Sequence, residues 1–563
     1  MTGKTGTPAD TTGWYLVPLA AATGLLFTGA VQAAQINTGN EDISLRWDTT
    51  VKYSTAARVE SQSPALIGAA NPNGDDGDRN FSSGLISNRL DLFSEMDLIY
   101  RRNWGARISA AAWYDSIYNG SNDNPGGTVN QANPFSNRFT NTTRTLMGRD
   151  VELLDAFVFG KFDIGDHSTT VRLGQHSVLW GESLFFGANA IAGGQQPVDV
   201  VKLASVPNTQ FKEIIRPVPQ VSGQFQVSSK ITIGAYYQFA WKADRLPPVG
   251  SYFSNTDPAP MGGENLILGM GPYGPIWAAR QSDLKPENSG QGGLELRMRA
   301  GEVDYGLYAI RYSSKIPQLV PEIGINPNLP PGAPPAPVGY ALAYQQGITA
   351  FGASASKTFG NFNLAIEGSI RNNDDLASTQ GADISLLGGP VTNNTSNPAY
   401  AVGRTAHINI STIGSLEPTP LWREATLIGE IAWNRVLSIT KNPGAVDPNA
   451  TRDGAALRVV LEPMYRGVMD GVDVSVPIGV SFAPRSLRPM AIDNPNVWVP
   501  SGGGDMSIGL NGSYRDAWRF TVAYTHYYGP AGTFNNGTIA NAFTWRQTMK
   551  DRDFVSMSIA YTF

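Results

Sequence analysis

Val555-Ser-Met-Ser-Ile-Ala-Tyr-Thr-Phe563 ends the chain and decides how the rest is read. Val555, Met557, Ile559, Tyr561 and Phe563 alternate with Ser556, Ser558, Ala560 and Thr562. In a strand, this period of two sets the apolar side chains on one face and small or polar ones on the other. A soluble edge strand can carry such a face. A terminal Phe with Tyr two residues before it also matches the signal read by the barrel-assembly machinery of the outer membrane, which makes Tyr561 and Phe563 the expected contacts of that partner. The second reading gains force if the chain is exported and if the alternation recurs upstream.

The N-terminal stretch Trp14–Ala33 has a short apolar core ending in Val31-Gln32-Ala33, a small-residue cleavage site. This predicts a secretory signal peptide over 1–33 and a single mature domain over 34–563. A membrane anchor is the competing reading, disfavoured by the length of the core and by Pro18. Nothing else approaches 18 uninterrupted apolar residues, so no spanning helix is expected in the mature chain.

From residue 41 onward, alternation recurs in eighteen segments, counting the last. In the first, Arg46, Asp48 and Lys52 oppose Leu45, Trp47, Val51 and Tyr53. In the second, Arg89, Asp91, Glu95 and Asp97 oppose Leu90, Leu92, Met96 and Leu98. A cation facing lipid near the bilayer midplane costs roughly 2–4 kcal/mol. Arg46, Lys52, Arg89, Asp91, Glu95 and Asp97 are therefore expected to face a lumen. The connections alternate between short ones, such as Ser229-Lys230, Gly301-Glu302 and Gly360-Asn361, and long ones, such as 119–148, 181–218 and 243–288. Short periplasmic turns, long external loops and an even strand count predict an all-β fold. It is a transmembrane antiparallel β-barrel of about 18 strands, set in outer-membrane lipid. Residues 340–358 are read as one long strand.

Composition agrees with the pattern. A chain of 563 residues would ordinarily hold several soluble domains, yet no linker separates any. Charged residues make up 16%, well under the roughly 25% of soluble domains. The absence of cysteine excludes disulfides, thiolate metal sites and cysteine nucleophiles. A net charge of −5 with no basic run argues against nucleic-acid binding.

The long connection 181–218 is less loop-like than the others, with aliphatic residues and paired charges. It is read either as folding inward to narrow the lumen or as an ordinary structured surface loop. On the first reading, the candidates for pore or ligand contact are Trp180, Glu182, Asp199, Lys202, Phe211, Lys212, Glu213 and Arg216. The charged groups would set the field in the pore, and Trp180 and Phe211 would offer apolar contact. Asn73-Gly-Asp-Asp-Gly-Asp78 resembles half of a calcium loop but lacks its closing acid. It is read as a solvated acidic loop, with a surface-bound divalent cation as the alternative, and no metal ligand is assigned. Gly269-Met-Gly-Pro-Tyr-Gly274 fits G-x-G-x-x-G, but Pro272 and the lack of a following helix argue against nucleotide binding. The Pro-rich stretch 326–337 is read as an extended external loop. Neither H-E-x-x-H nor G-x-S-x-G occurs, so no catalytic residue and no cofactor are assigned.

Several stretches together look familiar. They are Ser87–Glu95, Ala112–Tyr118, Val178–Ser183, Pro197–Lys202, Arg245–Phe253, Tyr305–Tyr308 and Asp551–Phe554. Together they resemble the proteobacterial outer-membrane family catalogued as domain of unknown function 1302, over nearly the whole mature chain. The resemblance implies an outer-membrane barrel that handles hydrophobic compounds alongside a periplasmic partner and an RND-type transporter. It implies no catalytic residues. The chain departs from it at Tyr344-Gln-Gln346, where a more acidic stretch would be expected.

The expected function is a porin-like outer-membrane channel passing a small hydrophobic or amphipathic organic compound. Two alternatives stand beside it. One is a component of an export or lipid-transfer system working with the periplasmic and RND-type partners; the other is a barrel hydrolase.

Overall fold

A computed structural model describes residues 34–68, 71–126, 129–130, 136–207, 209–259, 261–271, 274–536 and 541–563, so the expected signal peptide lies outside the described residues. The wall is built of eighteen strands. They are β1 Ile43–Arg58, β2 Gly84–Tyr100, β3 Trp104–Asp115, β4 Arg149–Ile164, β5 His167–His176, β6 Val218–Ser228, β7 Ile231–Gln238, β8 Gln291–Ala300 and β9 Val303–Tyr312. The series continues with β10 Ile348–Phe359, β11 Phe362–Asp375, β12 Val402–Leu416, β13 Glu424–Lys441, β14 Asp453–Met469, β15 Val472–Ser475 continued by Ile478–Phe482, β16 Gly504–Tyr514, β17 Trp518–Tyr528 and β18 Phe554–Thr562. Each strand pairs antiparallel with the next. β18 closes on β1, from Thr50↔Thr562 to Arg58↔Phe554. Closure leaves no strand edge in lipid, where an unpaired backbone group costs several kcal/mol.

The alternation sorts the faces as the wall requires. Along β18, Val555, Met557, Ile559 and Tyr561 are exposed, while Phe554, Ser556, Ser558 and Ala560 are buried. Trp47 and Tyr53 of β1 and Leu90, Leu92 and Leu98 of β2 are exposed on the same outer surface; Lys52, Arg89 and Asp91 are buried on the inner one. A closed strand wall with an apolar exterior is that of an outer-membrane barrel. Among the described residues no helix is long and apolar enough to cross a membrane; the crossing is made by strands.

Two sequence expectations are corrected. The stretch 340–358 is not one strand. Ala336–Ala343 joins an external four-stranded sheet with Asn265–Gly271, Gly274–Arg280 and Gln318–Gly324, and β10 starts only at Ile348. The break falls at Gly347, whose φ of 76° is left-handed and interrupts the run. The acidic stretch 73–78 is not solvated: Asp75, Asp76 and Asp78 are all buried, because the fourth external loop packs over them. The Pro-rich residues 326–337 form the tip of the hairpin between Gln318–Gly324 and Ala336–Ala343.

The segment 177–217 leaves β5 and returns to β6, whose ends pair at His176↔Val218. Between them it enters the barrel, and of the two readings of this stretch the inward one is observed. Introducing a charge on the outer surface tests the membrane face: Leu92→Arg should destabilise the liposome-embedded barrel by about 2–4 kcal/mol in urea titrations. An unchanged midpoint would mean that Leu92 does not face lipid.

Candidate functional site

The inner segment is held by carboxylates of the wall. Glu367 of β11 accepts the backbone N–H groups of Glu182 at 2.7 Å and Ile191 at 2.6 Å. Glu430 of β13 accepts N–H groups of Leu184 at 3.0 Å and Phe186 at 3.1 Å, that of Phe185, and the Ser183 hydroxyl at 2.7 Å. Both glutamates are buried. A buried carboxylate is tolerated when charge-assisted hydrogen bonds replace its water, and here the donors are main-chain amides, three of them consecutive at Glu430. Gly181 makes the approach feasible. Its φ is 102°, and a Cβ there would lie 2.1 Å from Glu367 Oε2. Farther along, Asn189 donates to Asn409 Oδ1 of β12 at 3.0 Å, and Arg371 of β11 donates to the carbonyls of Ala188 and Ala190 at 2.9 and 3.0 Å.

The eight candidate residues divide by partner. Trp180 is buried, edge-on to Tyr236 at 5.0 Å and stacked near Tyr308 at 6.3 Å, so its ring fixes the segment to β7 and β9. Asp199 caps the helix Val200–Ser205 by accepting the Lys202 N–H at 2.9 Å, and it pairs with Arg245 at 2.6 Å. Arg245 also pairs with Glu152 of β4 at 2.8 Å, which Arg216 approaches at 3.7 Å. Lys212 pairs with Glu95 of β2 and lies 4.7 Å over the Phe93 ring. Glu213 accepts the Gln210 N–H at 3.2 Å, closing a capping box on the helix Phe211–Ile214. Lys202 Nζ is buried with no hydrogen-bond partner and lies 5.2 Å over the Trp113 ring of β3. Phe211 is half-buried, and Glu182 lines a polar chamber described below.

Most of these charges therefore meet each other or the wall. The structure brings Asp199, Arg216, Arg245 and Glu152 into one cluster and pairs Lys212 apart from it, with Glu95 of β2. Of the lumen candidates, Arg46 pairs with Asp48 at 2.8 Å, Arg89 with Asp91 at 2.7 Å, and Asp97 with Arg107 of β3 at 2.6 Å. Lys52 is buried beside a small cavity lined also by Asp91, Gln210, Glu213 and Arg519.

Three larger spaces lie along the barrel among the described residues. On the periplasmic side lies a polar chamber lined by Glu182, Lys230, Arg297, Arg299, Asp304 and Ser411 among others. Above the inner segment is a middle cavity with an apolar lining that includes Leu179, Val198, Leu203, Ile214, Ile316 and Val497. Asp244, Asp374, Asp375, Asp493, Lys315 and Arg371 also reach it. Toward the outside an aromatic cavity is bounded by Phe253, Trp498, Tyr527, Phe534 and Trp545. The outer two share Val200, and the stretch 179–188 divides the middle cavity from the chamber below. Burial pushes the Asp244 carboxyl up to about 6 and the Lys315 ammonium down to about 8, although Asp244 and Lys315 each favour the other's charged form. Burial, then repulsion from Asp375 and Asp374, raises Asp493 well above the usual carboxylate range.

The chain matches the family described as "Protein of unknown function (DUF1302)" over residues 15–563. It is a DUF1302 protein. No curated protein matches it. Solved structures similar to the DUF1302 barrel include Acinetobacter baumannii OccAB1, at 8% identity over 94% of this chain and 98% of that one with a TM-score of 0.42. Acinetobacter baumannii OccAB3 is similar at 9% identity over 92% and 99%, with a TM-score of 0.43. Pseudomonas aeruginosa OccK2 (OpdF) is similar at 10% over 92% and 97%, with a TM-score of 0.37.

Sequence reasoning missed the two glutamates that anchor the inner segment of the DUF1302 barrel. The available signal was a carboxylate at an inward position near the middle of an otherwise uncharged strand stretch, as in Leu364-Ala-Ile-Glu-Gly-Ser-Ile370. His526, on the outer face, lies with Nδ1 2.6 Å from Asp553 Oδ2, which also accepts the Tyr524 hydroxyl at 2.8 Å.

Two substitutions probe the anchoring. Glu430→Ala strands amide donors that each lose about 1–3 kcal/mol of compensation. It should raise single-channel conductance while the heat-modifiable gel mobility of the barrel persists. Arg245→Ala leaves Asp199 and Glu152 without their shared cation, at a cost of about 3–5 kcal/mol. It should speed protease cleavage within 177–217 in detergent; equal rates in wild type and variant would show that the cluster does not hold the segment.

Proposed function

We propose that the protein is a passive outer-membrane channel in which residues 177–217 form the constriction and a small amphipathic organic compound is the solute. The observation that carries this reading is the middle cavity, an apolar chamber with charged groups at its edge, in line between an aromatic outer cavity and a polar periplasmic chamber. A solute descending this series meets surfaces suited first to its apolar body and then to its polar end. The cations of the middle cavity are already engaged. Lys315 donates to the Gly194 carbonyl at 2.7 Å, and Arg371 donates to Ala188 and Ala190. The acidic groups Asp244, Asp374, Asp375 and Asp493 outnumber them, with Asp493 held toward its neutral form by burial and its acidic neighbours. This balance favours a polar end that donates hydrogen bonds or carries positive charge over an anionic one.

Conductance and liposome-swelling measurements on the refolded protein test the reading. Amphipathic amines should permeate faster than carboxylates of equal size. Filling the middle cavity with Ala188→Trp or Ile492→Trp should slow them without altering heat-modifiable mobility. Permeation that ignores both solute charge and cavity filling would remove the case for this path.

A further inference from the structure

We infer that Asp75, Asp76 and Asp257 form a site for a hard divalent cation of the calcium type, tying the first external loop to the fourth beside the outer cavity. One carboxylate oxygen from each residue lies within 4.8 Å of the other two. Calcium–oxygen distances run about 2.3–2.6 Å, so ligands of one ion fall within roughly 5 Å of each other. The three side chains are buried, at 0%, 3% and 0% exposure.

Hydrogen bonds engage both oxygens of Asp76, Oδ1 accepting the Asn124 side-chain amide at 3.3 Å, but only one oxygen each of Asp75 and Asp257. Asp257 Oδ2 accepts the N–H groups of Asp75 at 3.1 Å and Asp76 at 3.4 Å, and Asp75 Oδ2 accepts that of Gly68 at 2.5 Å. Their other oxygens, Asp75 Oδ1 and Asp257 Oδ1, are buried with no partner. A third oxygen of the same kind belongs to Asn130 in the second external loop. Its backbone N–H bonds Asp76 Oδ2 at 3.3 Å, while its own amide oxygen is buried and unpartnered. Cations near the cluster are committed elsewhere or reach only its edge: Arg58 pairs with Asp78 at 2.6 Å, and Arg79 comes within 3.7 Å of Asp75. Among the described residues no Lys or Arg nitrogen pairs with Asp76 or Asp257. A bound cation would neutralise carboxylates buried in this way, as protonation otherwise would, and the all-oxygen donor set suits calcium.

The backbone is built to bring these groups together. A Cβ on Gly77 would lie 2.4 Å from the Ser254 carbonyl oxygen, and one on Gly74 would lie 2.7 Å from that of Asn255. Only glycine lets the first loop press so closely on residues 251–255. Phe253, Ser254, Asn255 and Thr256 are also wall residues of the outer cavity. A cation at the site therefore fixes that wall, whatever the channel carries.

Calcium titration of the EDTA-treated full-length protein, refolded in detergent without lipopolysaccharide, tests the site by calorimetry. The expected result is one bound Ca²⁺ per chain, lost in Asp257→Asn and in Asp76→Asn, and kept in Asp166→Asn at a periplasmic turn. Heat-modifiable mobility reports whether each variant has folded. Bound Ca²⁺ should also slow protease cleavage at residues 251–259 in wild type only. A wild-type protein that binds no Ca²⁺, or folded Asp257→Asn and Asp76→Asn variants that bind it as wild type does, would overturn the proposal.

Discussion

Lipid offers no hydrogen bonds, and nearly everything in this molecule follows from that. Each strand must find partners on both sides, so the first and last strands must meet, and β18 lies along β1. Because the wall must be apolar outside, its charged residues have only the interior to occupy. The interior in turn must satisfy them, and it does so with a chain segment instead of open water. Glu367 and Glu430 would be costly in an empty apolar space; with the amides of 182–191 against them they become attachment points.

The same logic explains why the paired charges of the inner segment are a poor guide to a solute. Asp199, Arg245, Glu152 and Arg216 neutralise one another across the gap between segment and wall. The groups left to meet a solute lie elsewhere, on the outer side of the segment, where Asp244 and Asp493 come from long loops and Asp374 and Asp375 from the end of β11.

How much was legible in advance depended on what each residue answers to. Val555, Leu92 or Trp47 answers to lipid, a uniform partner, so period two alone placed them and the eighteen strands. The inner position of 177–217 was readable as an alternative, since its apolar content needs something to pack on. The partners of Trp180, Lys212 or Asp199 were not, because each answers to one side chain distant in sequence. The misreading of 73–78 has the same root. A run of Asn, Gly and Asp looks like a solvated loop until residues 251–257, nearly two hundred positions away, are laid over it. Likewise Gly347 ends a strand pattern that sequence alternation carries straight through.

The two ends of the inner segment leave and rejoin the wall at hydrogen-bonded neighbours, His176 and Val218. The perimeter of the barrel is thus complete without it. Length and sequence can change between these two points without shifting the register of any strand, so the interior is a cassette inside a fixed frame. Rewriting this stretch alone would reshape the cavities it borders and leave the wall as it is, and an engineer could exchange it in the same way.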